Sequence, residues 1–202
     1  MSRPPQNRKP EIIVFAGPNG SGKSTITQLF QIDMDYINAD DIKKSTLCTD
    51  LEAAQKAEQL REEHLSQHKD FCFETVLSTD RNLKLLKKAK ENGYFIKCVY
   101  ILTALPDVNV MRVRARVIQG GHGVPEDKIR SRYHKSLELI KEVIPVCDIC
   151  HIYDNSDDIP FRIFKKRKSE YYFDENEFWS FDDIVLLTGI SQIDKKDLNI
   201  IR

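Results

Sequence analysis

An apolar run, residues 12–16, leads without a break into Gly17, Pro18, Asn19, Gly20, Ser21, Gly22, Lys23, Ser24 and Thr25. These nine residues fit the pattern GxxxxGKS/T, which restricts the fold more tightly than any other feature of the chain. Its glycines let backbone N–H groups close around a β-phosphate, its lysine reaches the β/γ oxygens, and its serine hydroxyl can hold Mg²⁺. The spacing predicts a helix opening at Ser24, with its positive end aimed at the same anion. An ordinary glycine-rich turn does not account for Lys23 followed by two hydroxyls. Residues 17–25 are therefore assigned to binding ATP, with Ser24 as the Mg²⁺ ligand.

Apolar runs downstream alternate with helical patterns, as a parallel sheet with crossover helices requires. Strands are predicted at 12–16, 36–37, 71–76, 95–102 and 147–153, and helices at about 24–31, 51–68, 80–92, 107–119 and 126–143. Asn92 and Gly93 make a natural helix stop, and Pro125 followed by Glu126 and Asp127 a natural start. The expected fold class is α/β: a P-loop NTPase-type parallel sheet with helices on both faces and a short C-terminal β extension. Two short strands, 161–168 and 171–173, would form that extension as a hairpin. The expected organisation is a disordered start over 1–10, one kinase-like domain over 11–156 and the extension over 157–202.

Charge and composition remove several function classes. Basic and acidic residues number 31 each, so no global positive field would recruit nucleic acid by counterion release. The basic run Lys165 to Lys168 reads as the solvated edge of an exposed strand, a nucleic-acid patch being the sharper alternative. The opening MSRPPQNRKP lacks an apolar signal region, and no stretch approaches the roughly 18 apolar residues of a spanning helix. A cytoplasmic protein with no membrane contact is expected. Cys72, Cys98, Cys147 and Cys150 lie in apolar runs and read as reduced core thiols. The run Cys147 to His151 spells CxxCH, a haem-attachment signature, but inside an expected buried strand. Zinc is disfavoured because no second CxxC or HxxxH supplies further ligands.

The wording GPNGSGKST is common in transporter-type ATPases, which also need an apolar strand ending in aspartate and an LSGGQ-like signature. Here the strand 98–102 ends at Thr103, and no such signature is present. An acidic element after the second strand and an arginine-rich segment at 112–132 instead match small-molecule phosphotransferases. Phosphoryl transfer needs charge neutralisation on the γ-phosphoryl and a carboxylate to take the acceptor's proton. Asn38, Asp40 and Asp41 follow a strand end, where open α/β sheets place their ligand crevice. Either aspartate could be the base or could cap the next helix.

At 100° per residue Arg112 and Arg116 share one helix face, while Arg114 falls among Val110, Val117 and Ile118. Arg132 similarly falls beside Leu139, Ile140 and Val143. An arginine on an apolar face needs a partner, either bound phosphate or a structural carboxylate. Between these arginines, residues 119–123 form a glycine-rich loop able to act as a lid, with His122 placed to touch phosphate. Glu74, near the carboxyl end of an expected buried strand, would receive substrate hydroxyls or pair with an arginine.

These residues resemble the zeta toxins and their small relatives, through AGPNGSGKST, YINADDIK, FETVLST, RVRARVIQGGHGVP and YDNS. The resemblance covers residues 12–156. It implies an ATP-dependent kinase that phosphorylates UDP-N-acetylglucosamine on its sugar 3′-hydroxyl, with an antitoxin partner blocking the nucleotide site. It also implies Lys23 as the phosphate lysine, Asp40 as the base, Glu74 as the sugar-contacting carboxylate and Arg116 as the first lid arginine. The chain departs from the better-studied toxins at Asn38, where they carry an acid, and near His122, where they carry a second arginine. His122 or Arg132 would then complete the phosphate clamp, and the GGHxVP wording marks a branch whose acceptor need not be the same. A nucleoside or nucleic-acid-end kinase and a non-catalytic ATP-binding module are the alternatives.

Overall fold

The structure is a computed structural model that describes residues 8–190. Its centre is β1 (Glu11–Ala16), the apolar run ahead of the phosphate loop. A strand buried on both faces has to lie between others, and β1 runs parallel to both β3 (Phe71–Thr75) and β4 (Phe95–Leu102). Beyond β3 lies the short β2 (Asp35–Ile37), and beyond β4 lies β5 (Ile149–Asp154), both parallel to their neighbours. Two antiparallel strands, β6 (Phe161–Arg167) and β7 (Glu170–Phe173), extend the sheet past β5. The seven strands run in the order β2-β3-β1-β4-β5-β6-β7.

Among the described residues six helices connect the strands and a seventh follows the last: α1 (Lys23–Thr27), α2 (Ala39–Thr46), α3 (Asp50–Ser66), α4 (Arg81–Glu91), α5 (Pro106–Ile118) and α6 (Glu126–Val143), then α7 (Phe181–Thr188). Alternation along β1 divides the core. Ile12, Val14 and Ala16 join a large cluster with residues of α3, α4, α6 and α7, while Phe15 joins a smaller one with Ile26 of α1, Val99 and Ile101. One face of the sheet is thus covered more heavily than the other.

The predicted strands and long helices lie within a few residues of their expected places. The helix after the phosphate loop is shorter than expected, ending at Thr27 rather than near 31. α2 and α7 were not foreseen, and α2 buries none of its residues. The solvated-edge reading of Lys165 to Lys168 is corrected for Lys166. β6 is paired on both sides, and Lys166 is only 6% exposed, donating to the carbonyls of Ile144 (2.8 Å) and Pro145 (3.2 Å) past the end of α6. A lysine stem can lie along apolar surface while its ammonium meets orphan helix carbonyls.

Of the N-terminal segment expected to be disordered, residues 1–7 lie outside the described residues, as do 191–202 at the other end. Arg8 pairs with Glu11 and Asp70, and the Pro10 carbonyl accepts from Phe95 N at 2.8 Å. No helix among the described residues is long and apolar enough to cross a membrane.

Candidate active site

The phosphate loop turns where β1 ends, so its backbone must pass close to neighbouring main chain. At Gly17, φ is +139° and a Cβ would stand 1.9 Å from the Ile101 carbonyl oxygen, which only glycine avoids. Two asparagines that the sequence reading did not single out as site residues brace the loop. Asn109, fully buried in α5, donates from Nδ2 to the Asn19 carbonyl at 2.6 Å. Asn155, just past β5, donates to the Ser21 carbonyl at 2.8 Å and is itself held by Arg112, whose Nη1 reaches the Asn155 carbonyl at 2.7 Å. Lys23 Nζ donates to the carbonyls of Gly17 (2.7 Å) and Pro18 (2.9 Å). Burial outweighs the attraction of Glu74 and lowers its pKa to about 8, with the Arg116 charge adding to the depression.

The loop forms one wall of a cleft of about 520 Å³. The start of α2 supplies a second wall. Asn38 is its N-cap, accepting from Asp40 N at 2.9 Å, so that Asp40 sits in the first turn with its side chain free for the cleft. Asp41 lies outside this cleft but lines the hollow adjoining it, and pairs loosely with Lys44 at 3.8 Å. The end of β3 supplies the third wall with Glu74, Thr75 and Val76. A second hollow, of about 470 Å³ and lined by Met34 and Tyr36 among others, shares Ser24, Asn38, Asp40 and Glu74 with the first.

Glu74 is the hub of this side. Its Oε2 accepts from Ser24 Oγ at 3.1 Å and its Oε1 from the Tyr36 hydroxyl at 2.7 Å, while Asn38 Nδ2 donates to that hydroxyl at 3.1 Å. Burial, reinforced by the Glu74 carboxylate, pushes the Tyr36 phenol far above its ordinary range. Tyr36 was missed as a site residue. It lies two residues before Asn38 on a strand, so period-two alternation could have placed them together. The oxygen-only set of Ser24 with Glu74 behind it fits Mg²⁺, which is usually held by one or two protein oxygens, water and substrate phosphates.

Of the arginines, Arg112 and Arg116 line the cleft, as their shared face predicts. Arg132 reaches the loop, with Nη1 3.4 Å from Asn19 Oδ1. Arg114 does not: it is exposed and paired with Glu126 at 2.5 Å. Its expected apolar surroundings fail because Val117 and Ile118 are themselves exposed, and the buried face of α5 is Asn109, Val110 and Val113. His122 is also outside the cleft. It is exposed and turned toward α2, with Lys43 Nζ 3.4 Å from its Nε2. The glycine loop folds back onto α5, with Gly121 N donating to the Arg116 carbonyl at 2.9 Å. Arg61 of α3, a residue the sequence reading passed over, also lines the cleft.

A family model described as zeta toxin matches residues 1–167. A protein of uncharacterised function from Haemophilus influenzae is 35% identical over 127 residues, or 60% of this chain and 91% of the relative. A solved structure from the PezAT chromosomal toxin–antitoxin system of Streptococcus pneumoniae matches with a TM-score of 0.60 at 19% identity, covering 95% of this chain and 82% of the other. An AvrRxo1-ORF1:-ORF2 structure with ATP matches with a TM-score of 0.67 at 15% identity, covering 92% and 65%. At these identities the likeness to the solved structures is one of fold.

Proposed function

The chain belongs to the zeta toxin family, and on that premise we propose that it is a cytoplasmic ATP-dependent kinase that phosphorylates a hydroxyl group of a small molecule. One observation carries the reading: Lys23, Asp40, Glu74 and Arg116 arise from four separate elements and line a single cleft. In this reading the loop backbone and Lys23 hold the β- and γ-phosphates, and Arg116 neutralises charge on the group in transit. Asp40 accepts the proton of the acceptor hydroxyl as its oxygen bonds to the γ-phosphorus and the bond to the bridging oxygen breaks. Glu74, fixed by Tyr36 and Ser24, orients the acceptor. Mg²⁺, held through Ser24, would supply charge neutralisation between the phosphates.

For the acceptor we propose UDP-N-acetylglucosamine, phosphorylated on its sugar 3′-hydroxyl, with an antitoxin covering the nucleotide site. Family membership supports this choice, and the PezAT and AvrRxo1 neighbours, solved as toxin–antitoxin or two-component assemblies, are consistent with such a partner. Incubation with Mg²⁺, ATP and a panel of UDP-sugars is expected to yield ADP and a phosphorylated sugar. Asp40→Asn should lower the transfer rate about 10²- to 10⁴-fold, the usual contribution of a positioned general base. Undiminished transfer in Asp40→Asn would remove Asp40 from the chemistry. ATP binding with no transfer to any acceptor would favour a regulatory nucleotide-binding module.

A further inference from the structure

The buried residues of α3 are Ala53, Ala57, Arg61 and Leu65, spaced by four. A series at that spacing is the core face of a helix, and three of its members are the apolar residues that such a face requires. The fourth is a cation. Arg61 is 9% exposed, its Nε has no hydrogen-bond partner, and no carboxylate lies within ion-pairing distance among the described residues. The nearest acids along the helix, Glu58 three residues before and Glu62 directly after, are committed elsewhere: Glu58 to Arg81 at 3.1 Å and Glu62 to Lys88 at 2.5 Å. Glu74, in the same cleft, accepts from Ser24 and Tyr36.

The guanidinium of Arg61 lies over the ring of Phe73, 5.1 Å from its centroid. A cation–π contact offsets only part of the cost of removing a guanidinium from water without a counter-ion. Burial accordingly lowers the pKa of Arg61, with Glu58 opposing that shift. A buried charge that the fold leaves uncompensated marks a place where a ligand supplies the compensation. Arg61 is one of the residues lining the cleft, as are Asn38 and Thr75, so an anion entering there would meet a guanidinium with an unused N–H donor.

We propose that Arg61 is a specificity-determining residue of the acceptor half of the site, and that it binds an anionic group, phosphate or carboxylate, carried by the acceptor molecule. The proposal rests on the phosphotransferase reading above. Strand order assigns Arg61 to the acceptor. It stacks on β3, to one side of β1, whereas α5 with Arg112 and Arg116 follows β4 on the other side. The donor phosphates already have Lys23, Arg116 and the loop backbone. Planar bidentate recognition of a phosphate or carboxylate is what an arginine provides and a lysine does not. The site would therefore discriminate against neutral sugars and polyols.

The test uses the full chain with its loop filled by Mg²⁺ and β,γ-imido-ATP, titrated by calorimetry at constant ionic strength. The probes are UDP-N-acetylglucosamine against N-acetylglucosamine, glucose 6-phosphate and gluconate against glucose, and inorganic phosphate. At least one anionic probe is expected to bind 30-fold or more tightly than its neutral counterpart, and the identity of that probe separates phosphate from carboxylate. Arg61→Met should abolish that preference with less than a threefold change in nucleotide affinity, and Arg61→Lys should retain a fraction of it. The melting temperature of ligand-free Arg61→Met should equal or exceed that of the parent, whereas a purely structural arginine would lower it.

Equal binding of neutral and anionic probes would overturn the proposal. So would no anion binding at all, an unchanged anion affinity in Arg61→Met, or a selective loss of imido-ATP over ADP. If Arg61→Met does not fold, Arg61→Lys with parental anion affinity has the same consequence. Anion-selective binding without transfer to any acceptor would sink the kinase reading and leave this one standing. Transfer to charged and neutral acceptors alike would do the reverse.

Discussion

Lys23 carries a charge that its own fold opposes. Its pKa of about 8, against 10.5 for the ordinary group, comes chiefly from burial. The sign follows from linkage. Between pH 8 and 10.5 the unfolded chain holds a proton that the folded chain has released, so the penalty this lysine imposes on stability is full below pH 8 and fades as pH rises. Nucleotide binding runs the other way, because phosphates favour the ammonium. Above pH 8 binding must take up a proton, and the affinity for Mg²⁺-ATP should fall by up to about tenfold per pH unit. Dissociation constants measured from pH 7 to 9.5 should show this decline in the parent and a weak, level profile in Lys23→Met; a level profile in the parent would contradict it. Such a shift cannot be read from sequence, which gives the residue type and not the burial of its ammonium or the nearness of Arg116. Arg114 and Arg61 show the same limit from opposite sides. Helical angle alone put Arg114 beside Val117 and Ile118, which are in fact exposed, and it gave no reason to notice Arg61, whose role depends on where Glu58 and Glu62 turn.

Long periodic elements were the most legible, whereas the short α7 escaped notice although it buries Ile184 and Leu187. β4 and α6 have their predicted bounds, because a long apolar run and a long amphipathic stretch opened by Pro125 each admit one reading. α2, with the sequence ADDIKKST, is too short to stand out: it offers only Ala39 and Ile42 to the core, buries neither fully, and is fixed at its start by the Asn38 cap. The basic tetrad of β6 misled for a related reason: composition suggested solvent, while pairing on both sides and the end of α6 drew Lys166 inward. That lysine makes a prediction at the scale of its element. Register places it opposite Cys150 near the start of β5, at the opposite end of the parallel strands from the cleft. Lys166→Ala strips two carbonyls of their donor and removes a packed stem, which should destabilise the fold by about 2 kcal/mol. Urea unfolding should register that loss while nucleotide affinity stays at the parental value. Weakened nucleotide binding would mean that β6 is coupled to the site.

At the scale of the whole molecule, the open point is whether the segment after residue 156 is an appendage or part of the kinase-like unit. Sequence suggested a boundary because the helix–strand alternation breaks there. Packing argues against independence: Ile163, Phe164, Phe173, Trp179, Ile184 and Leu187 belong to the same buried cluster as Ile12, Leu86 and Ile152. Asn176 also ties the segment to the buried Asp154 at the end of β5, donating at 2.8 Å. A shared core of this kind unfolds as one. Trp179 is the only tryptophan of the chain, so its fluorescence reports the C-terminal segment, whereas far-ultraviolet circular dichroism reports all the helices. Denaturant transitions followed by the two probes should coincide. Mg²⁺-ATP at a hundred times its dissociation constant should stabilise both by about 2.7 kcal/mol, since a ligand of the native state stabilises everything that unfolds with it. A tryptophan transition that comes earlier, or that nucleotide leaves unmoved, would show that residues 157–190 fold apart from the site.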